Sequence, residues 1–354
     1  MSAVPPGAAE VPAPPGPAVP PPPPQPTNVV EADEAAIARA VELLRAGEVV
    51  AFPTETVYGL GADASSADAV AKIFALKGRP ETHPVIVHLA DAGALGAWAR
   101  EVPAGAQKLA QAFWPGPLTL ILKRAGGVLD GVTGGQDTIG VRIPSHPVAQ
   151  QLLAAFGGGI AAPSANKFGR VSPTTAMHVF GDFAHAVPLV LDGGACAVGI
   201  ESTIVDFSGD HPRLLRPGGV PAVAIEAVLG EPLAAADGAA PRAPGSHNVH
   251  YAPRAQVKLV RRVEMLETLS SHKGRRLGVL ALEVSVPRLN QALQRVVPVV
   301  ATQYAHELYG ALRALDAQNV DVILVEAPPQ SPAWQAINDR LARATRHAAE
   351  GETT

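Results

Sequence analysis

The stretch EADEAAIARAVELLRAGEVVAF, residues 31–52, changes its hydrophobic period partway along its length. The apolar side chains of Ile37, Ala40 and Leu44 recur every three or four residues, which is the spacing of one face of an α-helix. Gly47 follows at the position where glycine commonly ends a helix. The next residues, VVAF, form a short continuous apolar run that predicts a buried strand. A helix leading into a single buried strand is typical of an α/β sheet.

The same alternation of helix and strand continues along the chain. Ser66 predicts the start of a second helix, which ends at Gly78. We predict further strands at 85–89, 118–124, 138–143 and 202–208, and further helices at 104–114 and 146–156. Because helices alternate with single strands while some strands follow one another directly, we predict an α/β domain with a twisted mixed sheet flanked by helices.

Composition divides the chain into four parts. Residues 1–27 are almost wholly Pro, Ala, Gly and Val, with five consecutive prolines at 20–24, which predicts a disordered or polyproline tail. Residues 231–253 are rich in Pro, Gly and Ala, and we interpret them as a linker. The larger α/β domain occupies residues 28–230. Residues 254–350 repeat the alternation on a smaller scale and predict a Rossmann-like α/β C-terminal domain.

Composition and charge exclude several classes of protein. Hydrophobic residues make up 47% of the 354, and the net charge of −4 argues against a protein whose main task is coating nucleic acid. The single cysteine, Cys196, excludes an internal disulfide and a cysteine-based zinc cluster, and it fits a reducing cytosol. There is neither a secretory signal pattern nor a run of about 18 apolar residues. We therefore expect a cytoplasmic protein without a membrane partner.

Polar side chains cluster where predicted strands and helices end. They combine cations with hydroxyl or amide groups: Lys77 with Arg79, Thr138 with Arg142, Ser164 with Asn166, and Arg216. Each cluster alone has an ordinary explanation, because Ser and Thr often stabilise turns and a lone Lys or Arg is usually solvated. Together they favour a ligand site, since ligands bind at strand ends in α/β sheets. Without a phosphate-loop motif or an obvious catalytic pair such as Ser-His-Asp, the pattern indicates an enzyme that positions a polyanion and a small polar molecule by charge stabilisation.

Three other segments leave alternatives open. GGVLDGVTGG, residues 126–135, lacks the lysine of a phosphate loop and indicates a mobile loop, with a lid as the less favoured reading. HNVH, residues 247–250, has metal-like spacing, but a linker rarely holds ligands rigidly, so we expect no metal site there. In the turn after VVAF, we expect Thr54 and Glu55 to order the chain, while Tyr58 fits either a pocket wall or the core.

Eight motifs occur in the order in which they stand in a known family: PTETVYGLG, KGRP, HPVIVH, PGPLTLIL, TIGVRIPSHP, APSANKFGRVSPT, GIESTIVD and LLRPG. On these motifs, residues 30–225 closely resemble the YrdC-like threonylcarbamoyl-AMP synthases. The linker motif APGSHNVHYAP resembles that of the long form of this family, which carries an extra C-terminal domain. The resemblance therefore implies a YrdC-like domain joined to a second, smaller domain.

The resemblance implies a nucleotidyltransferase that forms threonylcarbamoyl-AMP (L-threonylcarbamoyladenylate) and pyrophosphate from L-threonine, bicarbonate or CO₂, and ATP. The product then passes to a separate tRNA threonylcarbamoyl transferase, which makes threonylcarbamoyladenosine next to the anticodon. At most weak tRNA binding by this chain is implied. Mg²⁺ is expected with ATP, held largely by the phosphates rather than by protein ligands, and no organic cofactor is implied.

The resemblance also assigns site residues by position, with Lys77 and Arg79 as the catalytic cations. The positions that match ATP contacts are Lys77, Arg79, His83, Thr138, Ser164, Asn166, Ser172, Arg216 and Tyr251. The positions that match threonine contacts are Thr56, His88, Arg142, Ala162 and Ser202. Two positions depart from the family pattern, because His83 stands where asparagine is usual and Phe168 replaces a small residue.

Two other functions share parts of this pattern. The main alternative is a YrdC-like module that binds double-stranded RNA or tRNA without its own catalysis. The acidic balance and the lack of interleaved aromatic residues count against it. The related carbamoyltransferase of hydrogenase maturation carries zinc-finger cysteines, and a chain whose one cysteine is Cys196 excludes it.

Overall fold

The structure is a computed structural model, and it describes residues 26–245, 250–282 and 293–346. Nearly all of the proline-rich tail and residues 247–249 of the HNVH motif lie outside these ranges, so the predictions for them stay predictions. No helix within the described ranges is long and apolar enough to cross a membrane.

The larger sheet is mixed, and its strand order in the described chain is β1-β8-β2-β3-β7-β4-β6-β5-β9-β10-β11. Its strands are β1 Val29–Glu31, β2 Val50–Phe52, β3 Gly59–Asp63, β4 Ile86–His88, β5 Leu118–Lys123, β6 Thr138–Arg142, β7 Ile160–Ala161, β8 Val190–Asp192, β9 Thr203–Asp206, β10 Arg213–Arg216 and β11 Ala234–Ala235. The accompanying helices are α1 Glu34–Arg45, α2 Ala67–Lys77, α3 Leu95–Trp98, α4 Ala104–Phe113, α5 Asp130–Thr133, α6 Pro147–Phe156, α7 Ala176–Phe183 and α8 Ala222–Leu229.

The smaller sheet is wholly parallel, with the order β12-β15-β13-β14. Its elements, in chain order, are β12 Gln256–Val260, α9 Met265–Ser271, β13 Leu277–Leu282, β14 Leu293–Val297, α10 Ala301–Asp316, β15 Val322–Glu326 and α11 Gln335–Arg346. The predicted mixed α/β sheet and the smaller C-terminal α/β domain are therefore confirmed, while the exact domain limits stay predictions.

The first two helices form where hydrophobic spacing and capping residues predict them. In α1, Ile37 and Leu44 are buried on one face, and the Asp33 carboxylate accepts a hydrogen bond from the Ala36 backbone N at 2.7 Å. In α2, the Ser66 hydroxyl caps the start of the helix, and Gly78 adopts a left-handed conformation with φ +63° at the end. This cap places Lys77, the last residue of α2, at the point where the chain turns towards β4.

Strand ends from several parts of the chain meet at one edge of the larger sheet. Strands β4 and β6 are parallel, with His88 paired to Arg142, so their carboxyl ends coincide. Strand β5 runs antiparallel to β6, and β9 is parallel to β5. Thr203, which begins β9, therefore lies at this same edge, as does Arg216 at the end of the antiparallel neighbour β10. The edge gathers polar residues that are far apart in sequence.

Several short elements were not predicted, among them β1, β3, α3, α5, α8, β11, α9 and β14. Strand β3 contains Gly59 and Gly61, which hide its alternation, and β14 is half-exposed, so neither shows a strong apolar pattern. In the segment predicted as a mobile loop, Asp130–Thr133 form one helical turn. This turn is held by an ion pair of 2.5 Å between the side chains of Arg124 and Asp130.

The C-terminal domain packs on the larger domain through α10. Val57, Val171 and Ile200 of the larger domain belong to the same buried apolar cluster as Tyr304 and Leu308 of α10. Gly199 lies directly against this helix with φ +79°, and a Cβ atom there would come within 2.5 Å of the His306 Cα. The close approach of α10 therefore requires glycine at position 199.

We predict that Gly199→Ala lowers the free energy of unfolding by about 1–3 kcal/mol, because the added methyl group must displace helix backbone. Urea-induced unfolding measures the change. Gly157→Ala is the matched control, since Gly157 has φ +75° and nothing within 4 Å of its Cβ position. Equal losses in the two variants would show that the backbone conformation, and not the contact with α10, sets the requirement.

Candidate active site

One cavity lies at the sheet edge where β4, β6 and β10 end. Its volume is about 50 Å³, and its lining comprises Thr54, Thr56, Val57, Gly59, Arg79, Ile86, His88, Arg142, Ala162, Pro163, Ser164, Glu201, Ser202, Arg216, Pro244, Gly245, His250 and Tyr251. The lining contains every residue predicted to contact threonine. It also contains part of the predicted ATP set, namely Arg79, Ser164, Arg216 and Tyr251.

Thr54 closes the turn that follows β2. Its Oγ1 accepts hydrogen bonds from the backbone N of Thr56 and of Val57 at 3.2 Å, and lies 2.6 Å from the Val57 carbonyl oxygen. This turn places the Thr56 hydroxyl at the cavity. Tyr58 instead packs in the core, where its hydroxyl donates to the Gly194 carbonyl at 2.8 Å.

A buried ion pair stands beside this turn. Arg142 Nη2 lies 2.7 Å from Glu55 Oε1, while Arg142 Nη1 donates to Thr56 Oγ1 at 2.9 Å. Glu55 Oε2 accepts from the backbone N of Ser145 at 3.1 Å. The carboxylate thus balances the guanidinium charge and holds it at the end of β6. Glu55 therefore does more than order the turn, because it also orients Arg142.

His88 lies next to Arg142 at the end of β4. Burial lowers the pKa of the His88 imidazole to about 3, and the charge of Arg142 acts in the same direction. The ring is therefore neutral at pH 7. Its Nδ1 has no hydrogen-bond partner among the described residues. A neutral imidazole with an unused nitrogen suits a polar ligand.

Ser202 and Arg216 form the opposite wall. Arg216 Nη2 donates to the Ser202 carbonyl at 2.9 Å and to Ser202 Oγ at 3.1 Å, and Nε donates to the same carbonyl at 3.1 Å. Ser202 Oγ also lies 2.8 Å from Thr119 Oγ1. Arg216 Nη1 donates to the Pro244 carbonyl at 2.8 Å, which ties the linker to this wall.

Lys77 and Arg79 approach from the end of α2. Lys77 Nζ donates to the carbonyls of Ser164 and Asn166, each at 2.6 Å, and Arg79 Nη2 donates to the Pro84 carbonyl at 2.8 Å. Burial, with the nearby Arg79 charge, lowers the pKa of the Lys77 ammonium well below its usual value. Burial also lowers the pKa of Arg79, to about 10. Both cations thus sit in a desolvated region that suits an anion.

Apart from Arg142, which pairs with Glu55, the cations of this site are solvated by backbone carbonyls. Within the described ranges, Lys77, Arg79 and Arg216 donate to carbonyl oxygens, and none of them forms a salt bridge with a carboxylate. Buried charges in proteins are usually paired or bound to a ligand. Arg79 and Arg216, which line the cavity, are therefore available to an anion that enters it, whereas Lys77 is not in the lining and donates to the carbonyl of Ser164, which is.

Two predicted ATP residues support the cavity from behind its lining. Asn166 Nδ2 donates to the carbonyls of Lys167 and Arg170 at 2.7 and 2.9 Å, which closes the loop whose carbonyls hold Lys77. Ser172 Oγ donates to Glu201 Oε1 at 2.6 Å. In this structure their side chains shape neighbouring segments of the wall.

Lys77, His83 and Thr138 of the predicted ATP set are not in the lining either. The His83 ring lies 5.3 Å from the Phe168 ring, and the Arg79 guanidinium lies 5.8 Å from the centre of the same ring. The two departures from the family pattern, His83 and Phe168, are therefore in contact with each other. Thr138 begins β6, whereas Arg142 ends it, so Thr138 lies away from the cavity.

The linker supplies the roof of the cavity. Burial lowers the pKa of His250 well below its usual value, so this histidine is neutral as well. Its ring lies 4.1 Å from the Tyr251 ring, centre to centre. Tyr251 has φ +63°. A Cβ atom added at Gly245 would lie 2.3 Å from the Tyr251 hydroxyl oxygen. Glycine at 245 thus makes room for the tyrosine.

Glu201 joins the cavity to the C-terminal domain. Its carboxylate accepts from Tyr309 OH at 3.0 Å and from Arg340 Nε at 2.7 Å, in addition to Ser172 Oγ. Burial acts to raise the pKa of Glu201, but the charges of Arg340 and Arg216 and these hydrogen bonds outweigh it and lower the pKa to about 2. Glu201 is therefore an anion at pH 7.

Sequence reasoning did not assign Tyr309, Arg340 or His250 to the site. A signal for Arg340 was present, because Ile337, Arg340 and Ala344 share one face of α11, and a charged residue within a buried apolar stripe needs a partner. Nothing local indicates that the partner is Glu201, which lies 139 residues away.

No group of His, Cys, Asp and Glu that could hold a metal ion occurs within the described ranges. Of the cavity-lining residues, Glu201 is acidic, and its oxygens are engaged by Ser172, Tyr309 and Arg340. The residues present therefore do not fit a divalent cation bound by protein side chains alone.

Comparisons with known proteins place these features in a family. Residues 42–218 match the Sua5_yciO_yrdC family model, described as telomere recombination, and residues 220–345 match the model described as the C-terminal domain of threonylcarbamoyl-AMP synthase. The threonylcarbamoyl-AMP synthase of Pyrococcus abyssi is 40% identical over 332 residues, which cover 88% of this chain and 95% of that protein. The enzyme of that name from Bacillus subtilis is 40% identical over 333 residues, covering 90% and 95%.

A solved structure agrees with this likeness. The crystal structure of P. abyssi Sua5 complexed with L-threonine has a TM-score of 0.82 and 39% identity, and the match covers 90% of this chain and 96% of that one. The resemblance stated from the motifs is thus confirmed over both domains. The chain belongs to the family of two-domain threonylcarbamoyl-AMP synthases.

Proposed function

We propose that this chain catalyses the formation of threonylcarbamoyl-AMP and pyrophosphate from L-threonine, bicarbonate or CO₂, and ATP. The product serves the threonylcarbamoyladenosine modification of tRNA, which a separate transferase completes. One observation carries the proposal: a single cavity joins two buried cations, Arg79 and Arg216, that form no salt bridge within the described residues, to a wall of threonine, serine and histidine side chains. The membership in a family of threonylcarbamoyl-AMP synthases supports it.

The wall formed by Thr56, His88, Arg142, Ala162 and Ser202 suits an amino acid. Arg142 is held by Glu55 and Thr56 so that its planar guanidinium is oriented before a ligand arrives, and guanidinium groups bind carboxylates in a bidentate manner. We assign the threonine carboxylate to Arg142. The hydroxyls of Thr56 and Ser202 are assigned to its polar groups. A relative solved in complex with L-threonine supports this assignment.

The cations Lys77, Arg79 and Arg216 suit the phosphates of ATP. In the reaction, threonine takes up CO₂ to form a carbamate, and a carbamate oxygen attacks the α-phosphorus as pyrophosphate leaves. Negative charge develops on phosphate oxygens during this step, so fixed cations in a desolvated site stabilise the transition state. The remaining assigned nucleotide contacts are His83, Thr138, Ser164, Asn166, Ser172 and Tyr251.

The cavity must enlarge to admit ATP. Its volume of about 50 Å³ is well below the ~300–1,000 Å³ of typical small-molecule sites. Pro244, Gly245, His250 and Tyr251 all belong to its lining, and they come from the linker region. We propose that the described conformation is the closed one and that the linker moves to admit substrates.

We propose that Mg²⁺ enters with ATP, where it neutralises phosphate charge, because the described protein residues lack an acidic cluster that could hold it alone. The alternative of a catalytically inert RNA-binding module gains no support, since the cations of the site are buried inside a cavity rather than displayed on a surface. A cytoplasmic location remains a prediction from the cysteine content.

Pyrophosphate release from ATP should require both L-threonine and bicarbonate. We expect omission of either to reduce release to the background of enzyme-free samples, because the carbamate is the nucleophile. A coupled pyrophosphatase assay measures this, with L-serine in place of threonine as a test of specificity. Release that continues unchanged without threonine would refute the proposed reaction.

Arg79→Ala should lower kcat about 10²–10³-fold, because it removes a fixed cation from the site of developing charge. The same pyrophosphate assay gives kcat, and a melting curve verifies that the variant is folded. Lys123→Ala is the control, since Lys123 pairs with Glu101 on the surface. If the two variants lost activity equally, Arg79 would have no special role.

Ser202→Ala should raise the KM for threonine about tenfold while changing the KM for ATP less, because one hydrogen bond to the amino acid is lost. Steady-state kinetics with each substrate varied in turn separate the two constants. Ser270→Ala, on the surface of the C-terminal domain, is the control. A normal threonine KM in Ser202→Ala contradicts the assigned contact.

A further inference from the structure

Two residues of the C-terminal domain contact the wall of the cavity without lining it. Tyr309 of α10 donates its hydroxyl to both Glu201 carboxylate oxygens, at 3.2 and 3.0 Å. Arg340 of α11 donates from Nε to Glu201 Oε2 at 2.7 Å. Arg340 is 1% exposed and Glu201 is 6% exposed, so the contact is fully removed from solvent. An ion pair at this depth is tolerated only when both charges are well satisfied.

The same two residues hold the linker. The Arg340 guanidinium lies over the Tyr251 ring, 5.0 Å from its centre, in a cation–π contact. In addition, the Tyr309 ring stacks on the Tyr251 ring, with 5.8 Å between the ring centres and 22° between the planes. Tyr251 is one of the linker residues that line the cavity. Its position therefore depends on α10 and α11.

Glu201 also bears on the substrate-binding wall. It immediately precedes Ser202, whose carbonyl accepts two hydrogen bonds from Arg216. Its carboxylate orients the Ser172 hydroxyl at 2.6 Å. A shift of Glu201 would thus displace groups assigned to threonine and groups assigned to ATP together.

We infer that Arg340 and Tyr309 are positioning residues for the catalytic site: through Glu201 they fix the wall at Ser202, and through Tyr251 they latch the linker over the cavity. The inference rests on the proposed function, since it assumes that this cavity is where threonine and ATP react. It gives the C-terminal domain a direct part in catalysis, although none of its described residues lines the cavity. We call the set Glu201, Tyr251, Tyr309 and Arg340 the latch.

Kinetics of Arg340 variants test the latch. Arg340→Ala should lower kcat/KM for threonine and for ATP about 10²-fold, because small displacements of positioned groups have effects of that size. Arg340→Lys should recover part of the loss through its charge, and Tyr309→Phe, which keeps the ring, should lose about threefold to tenfold. Arg343→Ala is the control on the same helix, because it removes the other arginine that pairs with Asp339, whose carboxylate also lies 2.7 Å from Arg340 Nη1.

Two kinetic results would overturn the inference. One is that the Arg340→Ala variant has the same kcat/KM values as the Arg343→Ala control. The other is a combined Glu201→Gln and Arg340→Ala variant whose loss equals the product of the single losses, since residues that act through one contact must be non-additive. Tyr309→Phe removes one hydroxyl, so it reports on the latch even if Arg340→Ala does not fold.

A second measurement needs no substrate and no activity. Arg242 of the linker is held by the 134–136 segment: its backbone N donates to Gln136 Oε1 at 2.7 Å, its carbonyl accepts from Gln136 Nε2 at 3.1 Å, and its Nη2 donates to the Gly134 carbonyl at 2.9 Å. Trypsin cuts after arginine, and a held segment is cut only when it opens. Cleavage after Arg242, followed by mass spectrometry, therefore reports on linker opening.

We expect cleavage after Arg242 to be about tenfold faster in Arg340→Ala than in the wild type or Arg343→Ala, because the latch no longer restrains the linker. Unchanged cleavage would overturn the latch whether or not the enzyme releases pyrophosphate. Faster cleavage in a chain that makes no threonine-dependent pyrophosphate would instead support the latch and refute the proposed reaction.

Discussion

Burying a cation without a carboxylate partner is costly, and among the described residues the larger domain does this repeatedly at one sheet edge. Lys77, Arg79 and Arg216 are 3%, 7% and 4% exposed. Backbone carbonyls solvate all three, and those carbonyls come from loops that follow or precede different strands. These loops must therefore come together for the three cations to be buried. The strand order of the larger sheet brings the loops to the same edge. An anion that enters meets positive charge already held in place.

The second domain completes this arrangement rather than merely following it in sequence. The apolar cluster that contains Val57, Val171 and Ile200 continues without a break into α10, so the two domains share one core. Arg313 of α10 adds an ion pair with Asp182 at 2.6 Å. Interfaces of this kind transmit displacement because packed side chains resist gradual deformation. Glu201, in the cavity wall, is bound from the C-terminal domain by Tyr309 and Arg340. These two residues can therefore affect the cavity without lining it.

Much of the fold was predictable because its signals are local. The apolar face of α1, the Ser66 cap and Gly78 each act within one or two turns of chain, and the structure confirms them. The grouping of strand-end residues, with the family motifs, also anticipated one polar cavity. Contacts between residues distant in sequence were not predictable. The residue pattern near Arg340, for example, does not indicate that its partner is Glu201. Hydrophobic periodicity predicts that a residue is buried, but it does not identify the residues that it contacts.

The hydrogen bond between Arg216 and the linker has a consequence for how the proposed closed form would open. Its Nη1 donates to the Pro244 carbonyl at 2.8 Å, and Arg216 is one of the cations proposed to bind the phosphates of ATP. A phosphate oxygen bound by the same nitrogen would replace this carbonyl as the acceptor, so no buried donor would be left without a partner. Linker closure and nucleotide binding would then be competing uses of the same guanidinium group.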